Sequence, residues 1–303
     1  MRMKKFTIIK IVFLCLFVIT GGCDRSRKGP MSEPSSDISS IDGSIMMVDK
    51  GSFPDSYIFA RIVDQNSDLI TDFKLGNFNI TEDDKPVIVN GLEKGQVSCA
   101  VVLVLDRSGS MLASPTEALN EAACGFIDKL PSGSMVEIID FNSEVKVTQE
   151  FTTDKSKLKQ VINSAQVGGG TSFYDAVAEA IEDAADIKGF YKMIIAMTDG
   201  EDNSSSKYEL DSLIEYSSKK WQPIQVIGYG PVNETALRAL GTKSNGSYSF
   251  ASTGEQLKSI YENLVPEQEV LNIHYRSLSN KAKKVSVYVV YGSLTQSFSI
   301  KRD

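Results

Sequence analysis

From Cys99 to about Val265, short apolar runs alternate with longer stretches whose apolar residues recur every three or four positions. The runs are Cys99–Leu105, Val136–Phe141, Glu144–Gln149, Tyr191–Met197, Ile224–Tyr229 and Ser247–Ala251. Their length and their β-branched content predict strands. The stretches between them predict helices. Ser114-Pro115-Thr116-Glu117 offers an N-cap, a proline at the first helical position and a capping glutamate. Behind it Leu119, Ala122, Ala123, Phe126, Ile127 and Leu130 share one face. Further helices are expected at Lys155–Ser164, at Ser172–Asp186 with Val177, Ala180, Ile181 and Ala184 inward, and at Tyr208–Lys219, Glu234–Leu240 and Gly254–Leu264. Strands alternating with helices imply an α/β fold, a Rossmann-like doubly wound and mostly parallel sheet covered on both faces.

The pattern differs on either side. Tyr57–Val63, Phe78, Ile80 and Val87–Val89 read as short strands broken by turn clusters such as Asp64–Asp68 and Asn90-Gly91. Beyond Val265, Leu271–Leu278, Val285–Tyr291 and Thr295–Ile300 return to strand spacing. Neither flank is long enough to bury a core alone. The expectation is one smaller β-sandwich-like domain, formed jointly by residues 55–97 and 266–303, with the α/β domain (98–265) inserted between them.

The N-terminal region is different again. Arg2, Lys4, Lys5 and Lys10 lead into the apolar run Ile11–Ile19. That run is shorter than the ~20 apolar residues a spanning helix needs and has the layout of a signal peptide, residues 1–22. Thr20-Gly21-Gly22-Cys23 resembles the lipobox of bacterial lipoproteins, with Thr20 where those proteins usually carry Leu. The resemblance implies that Cys23 is acylated and becomes the N-terminus, anchoring the protein to a membrane of the bacterial cell envelope, periplasmic or surface-exposed. A secreted soluble form and an uncleaved anchor are the alternatives. Residues 23–54, rich in Ser, Pro, Gly and Asp, read as a flexible tether.

Charge narrows the partners. A formal charge of -7 is unsuited to binding nucleic acid, which needs clustered Lys and Arg. Cys99 and Cys124, on a strand and a helix, are expected to be separate thiols, and the single histidine, His274, to be structural.

Candidate chemistry lies where strands end. Asp106-Arg107-Ser108-Gly109-Ser110 follows the first strand of the α/β region, Thr171 follows Gly168-Gly169-Gly170, and Asp199 closes another strand. In open parallel sheets, sites form beyond the carboxyl ends of the strands, so the five oxygen donors are expected to converge on one face. Hydroxyls and carboxylates suit a hard cation, Mg²⁺ first, with Mn²⁺ or Ca²⁺ possible, rather than Zn²⁺ or Cu²⁺. With only two carboxylates in the set, a cation bound directly by the three hydroxyls, with the carboxylates acting through water, stays electron-poor and can accept an outside carboxylate.

Asp106-x-Ser108-x-Ser110, Thr171 and Asp199 resemble the metal-ion-dependent adhesion site of the von Willebrand factor type A domain, over roughly residues 98–265. The resemblance implies metal contacts from Ser108, Ser110 and Thr171, with Asp106 and Asp199 contacting the metal directly or through water. It also implies a non-enzymatic protein whose metal bridges to an acidic residue of a protein partner, in adhesion or complex assembly. Arg107, Met111, Phe173, Tyr174 and Glu201, with Leu112 and Asp202 nearby, are the expected partner-binding residues; helix packing is the alternative for Phe173 and Tyr174. Asp175 is expected to cap Ser172. An Mg²⁺-dependent phosphohydrolase is a competing reading, but Ser108 stands where haloacid-dehalogenase-like enzymes have a second aspartate. A structural envelope protein is the third.

Overall fold

The computed structural model describes residues 37–51, 53–95, 97–112, 114–265 and 270–301. The expected signal segment, Cys23 and the tether as far as residue 36 lie outside the described residues.

In chain order the strands and helices are β1 (Ile41–Asp49), β2 (Asp55–Asp64), β3 (Phe78–Glu82), β4 (Lys85–Pro86), β5 (Ile88–Gly95), β6 (Cys99–Asp106), α1 (Ser114–Lys129), β7 (Met135–Phe141), β8 (Val145–Thr152), α2 (Lys155–Ser164), α3 (Phe173–Asp186), β9 (Tyr191–Thr198), α4 (Leu210–Lys220), β10 (Ile224–Tyr229), α5 (Glu234–Lys243), β11 (Ser247–Ala251), α6 (Gly254–Leu264), β12 (Val270–Arg276), β13 (Lys284–Tyr291) and β14 (Leu294–Lys301). The central sheet runs β11-β10-β9-β6-β7-β8, parallel except for β8, which turns back antiparallel on β7. This is the doubly wound, mostly parallel sheet that the alternation implied.

β6 lies inside that sheet, and every one of its residues is buried. Its side chains alternate between two cores. Val101, Leu103 and Leu105 pack with Leu119 and Phe126 of α1 and with Leu257 and Tyr261 of α6. Val102 and Val104 face Val177 and Ile181 of α3, Leu213 of α4 and Leu240 of α5. Burying such a side chain contributes about 1.5–3 kcal/mol. A good N-cap, such as Asp154 receiving Ser156 and Lys157 N–H at the start of α2, contributes about 1 kcal/mol. Packing therefore holds the helices, and the caps set where they begin.

Two antiparallel sheets flank this unit, β1-β2-β12-β5 and β14-β13-β3-β4. Ile58, Ile62, Leu271 and Ile273 of the first share one core with Ile80, Val285, Val287 and Val289 of the second. Both sheets draw strands from before and after the α/β unit. β1 departs from expectation. Ile41–Asp49 falls within the expected tether, yet it pairs along β2 from Ile41↔Asp64 to Asp49↔Tyr57. The Ser- and Gly-rich surroundings masked its buried residues Ile41, Met47 and Val48.

The flanking sheets meet the α/β unit where its parallel strands begin. The Lys192 ammonium, near the start of β9, donates to Asp49 at 2.9 Å. Trp221, just before β10, joins the core of the flanking sheets, and Asn245, just before β11, donates to the Lys301 carbonyl at 3.0 Å. The carboxyl ends of the parallel strands point the opposite way. Among the described residues no helix is long and apolar enough to cross a membrane.

Candidate functional site

Asp106 is the last residue of β6, level with Phe141 on β7, and Leu105 is level with Met197 on β9. Its carboxylate is fully buried and doubly engaged. One oxygen accepts the Ser108 N–H at 2.7 Å and the other accepts the Thr198 hydroxyl at 2.6 Å. The chain then turns so that the Ser108 and Ser110 hydroxyls lie 3.0 Å apart, and Ser110 Oγ donates to Asp199 Oδ1 at 2.6 Å. Four of the five expected donors thus form one connected chain. The fifth, Thr171, lies beside it: a Cβ placed on Gly200 would stand 3.7 Å from the Thr171 hydroxyl and 3.8 Å from that of Ser110.

The glycines bring Thr171 there. Gly168 and Gly169 have φ of 149° and 89°, a region that side chains disfavour. A Cβ on Gly170 would come within 2.2 Å of Ser204 Oγ. The loops are sewn together through the backbone: Gly109 N–H to the Gly169 carbonyl at 3.0 Å, Gly168 N–H to the Arg107 carbonyl at 2.8 Å, and Ser172 N–H to the Asn142 carbonyl at 2.7 Å. Asn203 Oδ1 accepts the Thr171 N–H at 2.9 Å. Asn203 is not singled out by the sequence, and Thr198 stands out there only as part of Thr198-Asp199-Gly200, with no role of its own.

Burial pushes the Asp106 carboxyl up, against the pull of the Ser108 and Thr198 hydroxyls and the N–H groups of Ser108 and Asp199. Asp199 is also raised, by burial first and by the charge of Asp106. Arg107, the basic residue in this run, turns away from both. Its Nε donates to Asp140 at 2.8 Å and another guanidinium nitrogen to Asn120 at 2.8 Å. Two adjacent carboxylates with three hydroxyls, and no basic partner among the described residues, form a donor set that fits a hard cation. Among the described residues, no three His, Cys, Asp or Glu side chains gather into a metal site.

Three of the expected partner-binding residues are not on the surface. Arg107 is 1% exposed, Met111 0% and Phe173 1%. Arg107 braces β7 and α1, Met111 packs into the core containing Leu119, and Phe173 stacks at a tilt on Phe141 with centroids 5.8 Å apart. Helix packing, the alternative raised for Phe173, describes its position. Tyr174 is half-buried and Glu201 exposed, and Leu112 is 65% exposed. Asp202 is occupied in holding the Tyr174 N–H at 2.9 Å. Asp175 does not cap Ser172. It accepts N–H bonds from Ser206, Lys207 and Tyr208 and so fastens the loop leading to α4. Cys99 and Cys124 are free thiols, and His274 stacks on Tyr57 with ring centroids 4.9 Å apart.

The family model of the von Willebrand factor type A domain matches residues 100–263, more than half of the chain. The chain belongs to that family. An uncharacterised protein of Synechocystis sp. is 28% identical over 152 residues, covering 49% of this chain and 36% of the relative. A UPF0353 protein of Nocardia farcinica is 24% identical over 205 residues, covering 54% of this chain and 61% of the relative. The chain therefore spans only part of the length of these relatives. A von Willebrand factor type A structure from Catenulispora acidiphila superposes with a TM-score of 0.54 at 12% identity. It covers 88% of this chain and 74% of its own, so the likeness of fold extends past the type A region into the flanking sheets.

Proposed function

We propose that Asp106, Ser108, Ser110, Thr171 and Asp199 bind a divalent cation, Mg²⁺ by the hardness of the donors, and that the occupied site binds a protein partner through an acidic side chain. The observation that carries this reading is the convergence of two buried carboxylates and three hydroxyls with no basic group among the described residues to neutralise them. Ser108, Ser110 and Thr171 would hold the ion, and Asp106 and Asp199 would supply negative charge behind them. The ion's contribution is a Lewis-acidic position able to accept a carboxylate from outside. Proteins of this family commonly bind protein partners and are typically non-enzymatic. The state of Asp106 supports the same view. Both of its oxygens are buried and hydrogen-bonded, which suits a positioning carboxylate and not an attacking nucleophile.

We infer that Tyr174, Glu201 and Leu112 contact the partner, since they are the expected rim residues that reach solvent. Acylation at Cys23 would tether the chain to a membrane of the bacterial envelope. The flanking sheets occupy the pole opposite the site, an arrangement that supports presentation away from the anchor. The test is capture of envelope proteins by the full-length chain in mild detergent. Binding should disappear with EDTA and return with Mg²⁺; capture that ignores EDTA rules out the bridging cation. Cys23→Ser should release the protein from membranes, and a variant that stays membrane-bound rules out the lipid anchor.

A further inference from the structure

A second pair of carboxyl groups lies away from the site, between β7 and α3. Glu137 on β7 is 1% exposed and stands within hydrogen-bonding reach of Asp183 on α3. Glu137 Oε1 and Asp183 Oδ2 are both buried, and among the described residues neither has a donor to hydrogen-bond with. Two ionised carboxylates cannot hydrogen-bond each other, and like charges in contact out of water do not both ionise. The contact therefore requires a proton. The charges acting on the pair are acidic: Glu150 on β8, and Glu179 and Asp186 on α3. On its other side β7 pairs with β6, whose neighbouring residues Val102 and Val104 are apolar.

We propose that Glu137 and Asp183 hold one proton between them and act as a proton-operated brace tying α3 to β7, and with it the segment carrying Thr171. The two elements meet again at their other ends. Ser172, just before α3, donates its N–H to the carbonyl of Asn142, just after β7, at 2.7 Å, and Phe173 packs on Phe141. Between these contacts lies a continuous apolar layer of Ile139, Val177 and Ala180. Protonated, the pair closes the far end of this interface. Loss of the proton places two negative charges in contact there, beside Glu150 and Glu179, and pushes α3 off the sheet. Thr171 is two residues ahead of α3, so the strain reaches the proposed cation site. The coupling to the cation rests on the metal reading above; the brace itself does not.

The full-length chain in mild detergent tests both parts. With ¹³C-labelled glutamate, the Glu137 carboxyl carbon should titrate far above its ordinary value of 4.5, burial and Asp183 pushing it up to about 8. Across that interval the melting temperature of the wild type should fall by about 5–10 °C, and Glu137→Gln should remove most of the fall. Asp183→Asn should lower the Glu137 midpoint and leave the part of the rise that burial causes. An ordinary midpoint in the wild type overturns the brace, as does a midpoint that Asp183→Asn leaves unmoved, or a fall that persists in Glu137→Gln. Mg²⁺ affinity, read by calorimetry, should weaken several-fold over the same rise in pH in the wild type and not in Glu137→Gln. Equal weakening in both proteins overturns the coupling. Absence of Mg²⁺ binding at every pH defeats the metal reading and leaves the brace to the titration and the melting curves.

Discussion

Lys192 and Asp49 form a buried ion pair across the junction of the α/β unit with its flanking sheets, Nζ to Oδ1 at 2.9 Å, each side chain 1% exposed. Burial lowers the Lys192 ammonium, and Asp49 pulls it back. Removing one partner strands a charge out of water, at a cost of about 3–5 kcal/mol. Asp49→Ala should therefore lower the unfolding free energy by that amount in denaturant titrations. Replacing both residues with apolar ones of similar volume should cost much less, and equal losses would mean that the charge is not what matters.

Acid should weaken the flanking sheets through Glu82. Burial alone would raise this carboxyl. Lys50, the Leu278 N–H and the Ser277 hydroxyl outweigh burial and hold it below its ordinary 4.5. Lys50 Nζ lies 2.6 Å away, and the Tyr275 hydroxyl donates at 2.8 Å. A depressed folded value means that the stabilisation is complete above pH 4.5 and is lost as pH falls through the folded value. Melting curves should show the loss below pH 4.5 in the wild type and a smaller one in Glu82→Gln.

Arg107→Ala should act on stability before it acts on binding. It leaves Asp140 buried without its ion pair, at a cost of about 3–5 kcal/mol. Glu201→Ala, on the surface, should change stability by about 0.5 kcal/mol or less and weaken partner capture. A folded, stable Arg107→Ala protein that has lost only binding would contradict the buried position.

Cation removal has its own signature. At a Mg²⁺ concentration of 100 times Kd, the wild type should gain about 2.7 kcal/mol. Asp106→Ala and Thr171→Ala should gain little from the ion while remaining folded by circular dichroism. Without the ion, Asp106→Ala should lose less than an ordinary core substitution, because Asp199 is relieved of a neighbouring charge.

Much of the molecule was legible before its structure. β6 announced itself as an unbroken apolar run because it is buried on both faces, and Asp106, Ser108 and Ser110 were visible because they adjoin it in sequence. The misplaced residues have partners distant in sequence. Arg107 looked like a surface residue among polar neighbours, yet Asp140 and Asn120 wait for it on β7 and α1. Met111 and Phe173 sit one residue from exposed or half-exposed Leu112 and Tyr174, and local spacing does not tell which of each pair turns inward. Asp175 has the spacing of a cap, but its acceptors went to a loop more than thirty residues away, as its bond to the Lys207 N–H shows. β1 was hidden because its apolar residues are embedded in tether-like composition.

The position of β6 has a mechanical consequence. It leaves β5 at the pole occupied by the flanking sheets and ends at Asp106 on the opposite pole, with β7 on one side and β9 on the other. A pull on the Asp106 loop, opposed by the flanking sheets at the other pole, runs along the length of β6. Two parallel rows of backbone hydrogen bonds then share that tension and must slide together to fail, whereas a strand pulled from its side would unzip one bond at a time. The geometry that gathers the oxygens at one end of the sheet also lets that end bear load.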